Sequence, residues 1–125
     1  MMPLPKIIAF GQQSISPVLD RPRPDRLVQG NPSRQTWEHY VNRDGVLSCG
    51  IWACEVGAWR IRFADNKDEF FCVIEGRVRL RDDAGEVVEI GAGEAAVIPA
   101  GFSGIFEVLQ PVRKYFAVLE QRSVD

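Results

Sequence analysis

Histidine is almost absent from this chain of 125 residues, which contains only His39. Imidazole is the commonest metal ligand and the usual acid–base group near neutral pH, so one histidine leaves few ways to build such sites. The sequence places no Ser–His or Cys–His pair side by side, and it has no glycine-rich loop of the phosphate-binding kind. These absences point away from the commonest hydrolase and nucleotide-binding chemistries.

Long apolar runs and a strong net charge are also missing. No apolar run approaches the roughly 18–20 residues of a membrane-spanning helix. The stretch from Ile7 to Phe10 is too short for the core of a secretion signal. The net charge of −2 gives no overall attraction to nucleic acid. We therefore expect a cytoplasmic protein with no membrane or nucleic-acid partner.

Cysteine is scarce, with three residues in the chain. Cys49 and Cys54 lie on one predicted strand, and five residues of strand span roughly 16 Å. Disulfide partners need Cα atoms within about 7 Å, so these two should not pair. We expect the cysteines to be thiols that pack as small hydrophobic side chains.

Proline is concentrated in the first 34 residues, which hold six of the eight prolines. Because proline lacks a backbone donor and restricts the residue before it, this segment can form neither a helix nor a central strand. We predict that residues 1–34 form an extended arm that lies on the domain of its own chain or of a partner. Residues 35–125 are predicted to form a single domain.

From Gln35 onward, short β-prone segments alternate with turn signals such as Asp44-Gly45 and Asp65-Asn66. The segments span residues 36–42, 46–56, 58–64, 69–76, 77–82, 86–90, 95–99, 104–109 and 112–120. No window longer than a turn shows helical periodicity. The pattern predicts an all-β sandwich or barrel.

One predicted strand, residues 69–76, is apolar on both faces. Phe71 and Val73 share one face, and Phe70 and Cys72 share the other. A strand that is apolar on both sides is usually buried on both sides. This strand predicts a covered outer face, which favours a homodimer, with the arm as the alternative cover.

Two glycine-bounded phrases frame much of the domain: GAWRIRFADNKDEFFCVIEG from Gly57 to Gly76, and GAGEAAVIPAGFSG from Gly91 to Gly104. They resemble the two motifs of cupins. The phrase IPAGFSGIFEVLQPVRKYF is similar to small single-domain cupins grouped with (S)-ureidoglycine aminohydrolase. The resemblance covers about residues 30–120 and implies a double-stranded β-helix, or jelly roll, made of two antiparallel sheets.

The same resemblance implies four inward metal ligands, three histidines and one glutamate. At those positions this chain has Phe63, Asp65, Glu69 and Gly104, and His39 lies outside both motifs. Carboxylates alone bind Mn, Fe or Zn poorly. We predict no cofactor, with a divalent metal held by Glu69 and Asp65 as the weaker alternative.

The inward positions predict an aromatic ligand pocket instead. Its expected members are Trp52, Trp59, Phe63, Phe71, Phe102, Gly104 and Phe106. Gly104 is expected to open space where the family has a histidine. Such a pocket could bind a small molecule of unknown identity. The alternative is that the same aromatic side chains simply fill the core.

Glu69 and Asp65 are the catalytic candidates. A carboxylate in an apolar barrel without its metal is poorly solvated, and such a group can serve as a general acid or base. The structural alternatives are that Glu69 pairs with Arg60, Arg62 or Lys114, and that Asp65 is a turn residue.

Three functions remain open from the sequence. The first is a metal-independent cupin that binds a small molecule, with or without catalysis. The second is a metal-dependent enzyme that resembles ureidoglycine aminohydrolase and acts on a C–N bond. The third is a dimeric scaffold with a filled barrel. We favour the first because three of the four ligand positions are replaced.

Overall fold

The computed structural model describes residues 3–121 of the chain. Two short 3₁₀ helices, Phe10–Gln12 and Pro24–Arg26, precede most of the strands. The strands are β1 (Val18–Asp20), β2 (Leu27–Gln29), β3 (Arg34–Val41), β4 (Leu47–Cys54), β5 (Gly57–Arg62), β6 (Lys67–Asp82), β7 (Val87–Gly91), β8 (Ala95–Ile98) and β9 (Ser103–Glu120). All of their pairings are antiparallel. The predicted all-β class is confirmed.

The two long strands β6 and β9 form the centre of the fold and pair with each other along almost their whole length. The first half of β9 also pairs with β5, and its second half with β4. In the same way, β6 pairs first with β8 and then with β7. Each long strand therefore belongs to two sheets, ordered β1-β3-β4-β9-β6-β8 and β2-β5-β9-β6-β7. This arrangement is the predicted double-stranded β-helix, or jelly roll.

Both long strands bend where the sequence predicts a break. The register of β6 against β9 shifts between Val73 and Val78, and Gly76 at this point has φ +89°. A Cβ atom at Gly76 would overlap the backbone of Pro111, so the strands approach each other as only glycine permits. The predicted segments 69–76 and 77–82 therefore form one irregular strand, β6, and the segments 104–109 and 112–120 form another, β9.

The core lies between the sheets and consists of inward side chains of the central strands. Phe71, Val73, Val78 and Val108 are at most 1% exposed. Burying side chains of this kind stabilises the fold by about 1.5–3 kcal/mol each. The inward face passes from Phe71 and Val73 to Val78 across the irregular register, because a bulge exchanges the two faces of a strand.

The proline-rich arm is extended and lies along the domain of its own chain, where it adds an edge strand to each sheet. β1 pairs with β3, and β2 pairs with β5. Nearer the N-terminus, Phe10 stacks on His39 with ring centroids 4.4 Å apart. Nδ1 of His39 donates a hydrogen bond to Oε1 of Gln13 at 2.6 Å. The single histidine, which is half-buried, is therefore in contact with the arm.

The arm leaves part of the outer face of the first sheet open. Phe70 on β6 lies opposite Val97 on β8, and their side chains are 49% and 60% exposed. In the arm itself, Leu4 and Ile7 are exposed as well. The cover that the sequence predicts for this face is thus not supplied by the arm.

Two further predictions concern helices and thiols. Across residues 3–121, no helix is both long enough and apolar enough to cross a membrane.

Cys49, Cys54 and Cys72 are free thiols. Cys54 is buried, and burial raises the pKa of its thiol to about 12. Burial also raises the pKa of Cys49.

Candidate functional site

A cavity of about 280 Å³ opens at one end of the barrel. One wall is aromatic and consists of Trp52, Trp59 and Phe106, whose ring centroids are between 5.3 Å and 6.2 Å apart. The strand register explains this wall, because Trp59 on β5 lies opposite Phe106 on β9 and residues opposite each other face the same side. The other lining residues are Arg34, Thr36, Ile61, Phe63, Lys67, Glu69, Ile98, Lys114, Phe116 and Val118.

An ion pair lies inside this cavity. Nζ of Lys114 donates to Oε2 of Glu69 at 2.8 Å. The side chain of Lys114 is 5% exposed and that of Glu69 is 13% exposed. Of the partners considered for Glu69 in the sequence, the structure selects Lys114. A pair with so little water around it interacts more strongly than a surface salt bridge, but each charge depends on the other.

Aromatic rings enclose the ammonium group of Lys114. Its Nζ atom is 4.4 Å from the ring centroid of Phe71, 4.6 Å from that of Trp52 and 5.1 Å from that of Phe106. The negative faces of aromatic rings attract a cation, and the attraction grows when water is excluded. Three rings and one carboxylate therefore compensate the charge of a lysine that is almost completely buried.

Two more cations line the cavity. The Arg34 guanidinium lies 5.3 Å from the ring centroid of Trp59, and Nη2 of Arg34 pairs with Asp20 at 2.7 Å. Nζ of Lys67 lies 4.5 Å from the ring centroid of Phe63. Glu69 is the only acidic residue among those that line the cavity. The polar part of the lining is therefore mainly cationic.

The structure brings together five of the residues that the sequence predicts for the site. Trp52, Trp59, Phe63, Glu69 and Phe106 all line the cavity. Two other predicted members lie apart from it: Phe71 is completely buried beneath Lys114, and both Phe71 and Phe102 line a separate space of about 130 Å³.

Gly104 does not open the space that the sequence predicts, and this prediction is wrong. A Cβ atom at Gly104 would overlap the carbonyl oxygen of Arg81 and lie 2.9 Å from the ring of Phe102. The absence of a side chain therefore lets β6 and the Phe102 ring pack closely against β9. The space that a side chain at position 104 would need is occupied by the Arg81 carbonyl and the Phe102 ring.

Asp65 is exposed in the connection between β5 and β6 and is not part of the cavity lining. Its position agrees with the alternative of a turn residue. From the sequence, Lys114 is considered only as a possible ion-pair partner of Glu69, and Arg34 and Lys67 are not singled out. Alternation along β9 could have indicated Lys114, because it shares the inward face with Val112 and Phe116.

A larger depression of about 410 Å³ lies near the bends of the long strands, around Glu75, Pro111 and Arg113. Its lining contains no aromatic residue, and no predicted site residue takes part in it. The smaller aromatic cavity therefore remains the better candidate for a ligand site.

The match to a family model agrees with the fold. Residues 41–116 match the EutQ-like cupin domain. The chain therefore belongs to the EutQ-like cupin family, which confirms the predicted cupin membership. The narrower likeness to the ureidoglycine aminohydrolase group is not confirmed. A search of the curated proteins finds no match.

Solved structures show the same fold in proteins of low sequence identity. A DUF861 family protein of unknown function from Pseudomonas syringae superposes with a TM-score of 0.74 at 21% identity over 86% of this chain. The EutQ protein of Clostridium difficile gives 0.60 at 23% identity over 71% of this chain. A protein described as ethanolamine utilization protein Q, from Salmonella typhimurium, gives 0.63 at 19% identity over 88% of this chain.

The coverage differs among these relatives. This chain spans 45% of the Pseudomonas protein and 64% of the Clostridium protein, but 100% of the Salmonella protein. At these identities the likeness establishes the fold alone.

The residues at the implied metal-ligand positions do not fit a divalent metal. Oε2 of Glu69 already accepts from Lys114 at 2.8 Å, and a cation in contact with the ligand opposes a second cation. Asp65 lies outside the cavity, and Phe63 and Gly104 offer no ligand atom on their side chains. Within residues 3–121, no three His, Cys, Asp or Glu side chains converge in a way that could hold a metal.

Proposed function

We propose that this protein is a small-molecule-binding cupin whose cavity works without a metal. The observation that supports the proposal most strongly is the buried Glu69–Lys114 pair beside a wall of aromatic rings. Ligand sites typically combine apolar walls for affinity with a few polar groups for orientation. The volume of about 280 Å³ is close to the lower limit of roughly 300 Å³ for such sites, so we expect a small ligand.

The ion pair would orient the ligand in this proposal. Glu69 has a second carboxylate oxygen, and Lys114 has further N–H donors beyond the one used in the pair. Together they offer an acceptor and a donor within one small space. Whether Glu69 also transfers a proton, alone or with Asp65, remains a hypothesis. Of the two carboxylates, Glu69 lines the cavity, so it is the stronger catalytic candidate.

Tryptophan fluorescence provides the test. Trp52 and Trp59 line the cavity. Trp37 is not part of the lining, and its ring centroid lies 5.1 Å from the guanidinium carbon of Arg113. We would screen small carboxylates, amides and sugars by thermal shift and titrate each stabilising compound by fluorescence. The ligand response should be lost in Trp52→Phe/Trp59→Phe, which leaves no tryptophan in the cavity, and kept in Trp37→Phe. If no compound raises the melting temperature, the scaffold alternative is favoured.

Metal independence needs its own measurement. Elemental mass spectrometry of natively purified protein should find no stoichiometric Mn, Fe or Zn. The alternative enzyme, which resembles ureidoglycine aminohydrolase and acts on a C–N bond, predicts a stoichiometric metal that Glu69→Gln removes. That result would overturn the metal-free proposal.

We also propose that the protein forms a homodimer through the open outer face of the first sheet. Phe70 on β6 and Val97 on the edge strand β8 are exposed on this face, and the same chain presents Leu4 and Ile7, which are 84% and 96% exposed. A two-fold axis uses one patch twice, so a second copy could cover both sets of apolar side chains at once. The cytoplasmic location expected from the sequence also remains a prediction.

Light scattering coupled to size exclusion tests the dimer. The unmodified protein should elute as a dimer and Phe70→Glu as a monomer. Val87→Glu is the matched control, because Val87 is 43% exposed on β7 of the other sheet. A monomeric unmodified protein, or a dimer that Phe70→Glu leaves intact, would contradict the assignment.

A further inference from the structure

The rim of the aromatic cavity is far more basic than the chain as a whole. A depression of about 210 Å³ adjoins the cavity and shares with it Arg34, Trp59, Ile61, Phe63 and Lys67. Six of its lining residues are basic and none is acidic: Arg23, Arg26, Arg34, Arg60, Arg62 and Lys67. We call these six residues the basic rim. Because the chain has a net charge of −2, this concentration of positive charge is local.

The fold gathers the basic rim from segments that are far apart in sequence. Strand β2 of the arm pairs with β5, with Leu27 opposite Trp59. This pairing brings the arginines that precede β2 beside those of β5. Arg34 begins β3 and Lys67 begins β6. The arm therefore supplies part of the rim, and the barrel supplies the rest.

The protein itself neutralises only half of this charge. Three of the six residues pair with carboxylates, namely Arg23 with Asp25 at 2.9 Å, Arg34 with Asp20 at 2.7 Å and Arg60 with Asp83 at 3.0 Å. Arg26, Arg62 and Lys67 have no salt-bridge partner among residues 3–121. Like charges that line one small depression repel each other, and a bound anion would remove that repulsion.

The other arginine-rich surface of the chain behaves differently. Arg77 and Arg79 on β6 pair with Glu89, and Arg79 also reaches Glu107. Those cations therefore have their counter-ions built into the sheet. The charge of Arg77 and Arg79 is therefore compensated within the sheet, whereas half of the cations of the basic rim have no such partner.

We propose that the basic rim binds the anionic group of a ligand whose apolar part occupies the aromatic cavity. The group is a dianion, either a phosphate monoester or a dicarboxylate. This inference rests on the proposed binding function of the cavity. Two negative charges are needed because three cations of the rim lack a protein partner. A single carboxylate would balance those three charges poorly. Arginine is suited to the role, since its planar fork of donors matches the oxygens of phosphate and carboxylate.

A set of matched probes tests the proposal by fluorescence titration at low salt. Phenyl phosphate and phenylsuccinate carry an apolar ring and two negative charges, benzoate carries one charge, and benzyl alcohol carries none. The dianions should bind most tightly, and rising salt should weaken their binding but not that of benzyl alcohol. Comparing phenyl phosphate with phenylsuccinate shows whether the rim prefers a phosphate or a dicarboxylate.

Variants assign the effect to the rim. In Arg26→Gln/Arg62→Gln, binding of the preferred dianion should weaken by roughly tenfold for each arginine removed, while benzyl alcohol binding is unchanged. Arg43→Gln is the control, since Arg43 is an exposed arginine outside the rim, and it should bind like the unmodified protein.

The outcomes separate this inference from the proposed function. If all aromatic probes bind equally and the double variant has no effect, the basic rim is not a ligand site, and the cavity proposal stands. If inorganic phosphate binds as tightly as phenyl phosphate, one ligand spanning rim and cavity is refuted. If no probe binds while a screened compound does, the proposal of a dianion site at the basic rim fails and the cavity proposal stands. If nothing binds at all, both proposals fail.

Discussion

Replacing Lys114 by methionine tests the central ion pair of the cavity. Methionine keeps an unbranched apolar side chain but removes the ammonium group that Glu69 accepts at 2.8 Å. The side chain of Glu69 is only 13% exposed, so the carboxylate left behind would have little access to water. The variant therefore leaves an uncompensated, nearly buried charge.

The magnitude follows from this burial. Removing one partner of a buried ion pair costs about 3–5 kcal/mol. Lys114→Met also loses the attraction to three rings, which lie within 5.1 Å of Nζ, but the thioether makes favourable contacts with aromatic rings in its place. We expect a net loss of about 3–4 kcal/mol in the free energy of unfolding. At about 4 °C per kcal/mol, the melting temperature would fall by roughly 12–16 °C.

Urea unfolding of four proteins measures the pair. They are the unmodified chain, Lys114→Met, Glu69→Gln and the double variant Glu69→Gln/Lys114→Met. Since the double variant contains neither charge, it should be more stable than Lys114→Met alone.

Two results would refute the reasoning. One is a loss below about 1 kcal/mol in Lys114→Met, which is the size typical of an exposed pair. The other is a double variant that is less stable than Lys114→Met at neutral pH, which would mean that Glu69 is stabilised by something other than Lys114.

Three further predictions concern the fold. Gly104→Ala should destabilise the protein by about 1–3 kcal/mol, because its Cβ would overlap the β6 backbone. Gly11→Ala, which meets nothing within 4 Å, should be nearly neutral in the same urea titration. Cys54, with a pKa of about 12, should resist a thiol reagent at pH 8 until the protein unfolds. The contribution of the Cys54 thiol to the free energy of unfolding should be complete below about pH 9 and be lost as the pH rises toward 12. Unfolding of Cys54→Ala and of the unmodified chain at several pH values measures this difference. Hydrogen bonds from two arginines of β6 lower the pKa of Glu89. The contribution of Glu89 to the free energy of unfolding should be present above the pKa of the unfolded state and be lost as the pH falls through the pKa of the folded state. Glu89→Gln should remove this pH dependence.

Much of the fold could be predicted because turns and alternation are local properties of the sequence. Gly76 marks the bend of β6, and the exchange of inward faces from Val73 to Val78 is visible in the apolar pattern. What alternation does not show is that the segments on either side of such a glycine continue as one strand. That depends on β9 pairing with both halves, a contact between residues far apart in the chain.

The site was predicted in part for the same reason. Inward aromatic residues such as Trp52 and Phe106 can be read from alternation, but their partners cannot. Glu69 and Lys114 are 45 positions apart, so their pairing requires the register of β6 against β9. The role of Gly104 depends on the Phe102 ring and the backbone of β6, which no local pattern describes.

The two short strands of the arm also protect the barrel from other chains. β1 covers Arg34 to Thr36 at the edge of the first sheet, and β2 covers the edge formed by β5. Uncovered edges present rows of unpaired donors and acceptors that recruit strands from other molecules. A chain beginning at Gln35 would keep most of its core but lose both covers. Its main failure would then be edge-to-edge self-association rather than loss of folding.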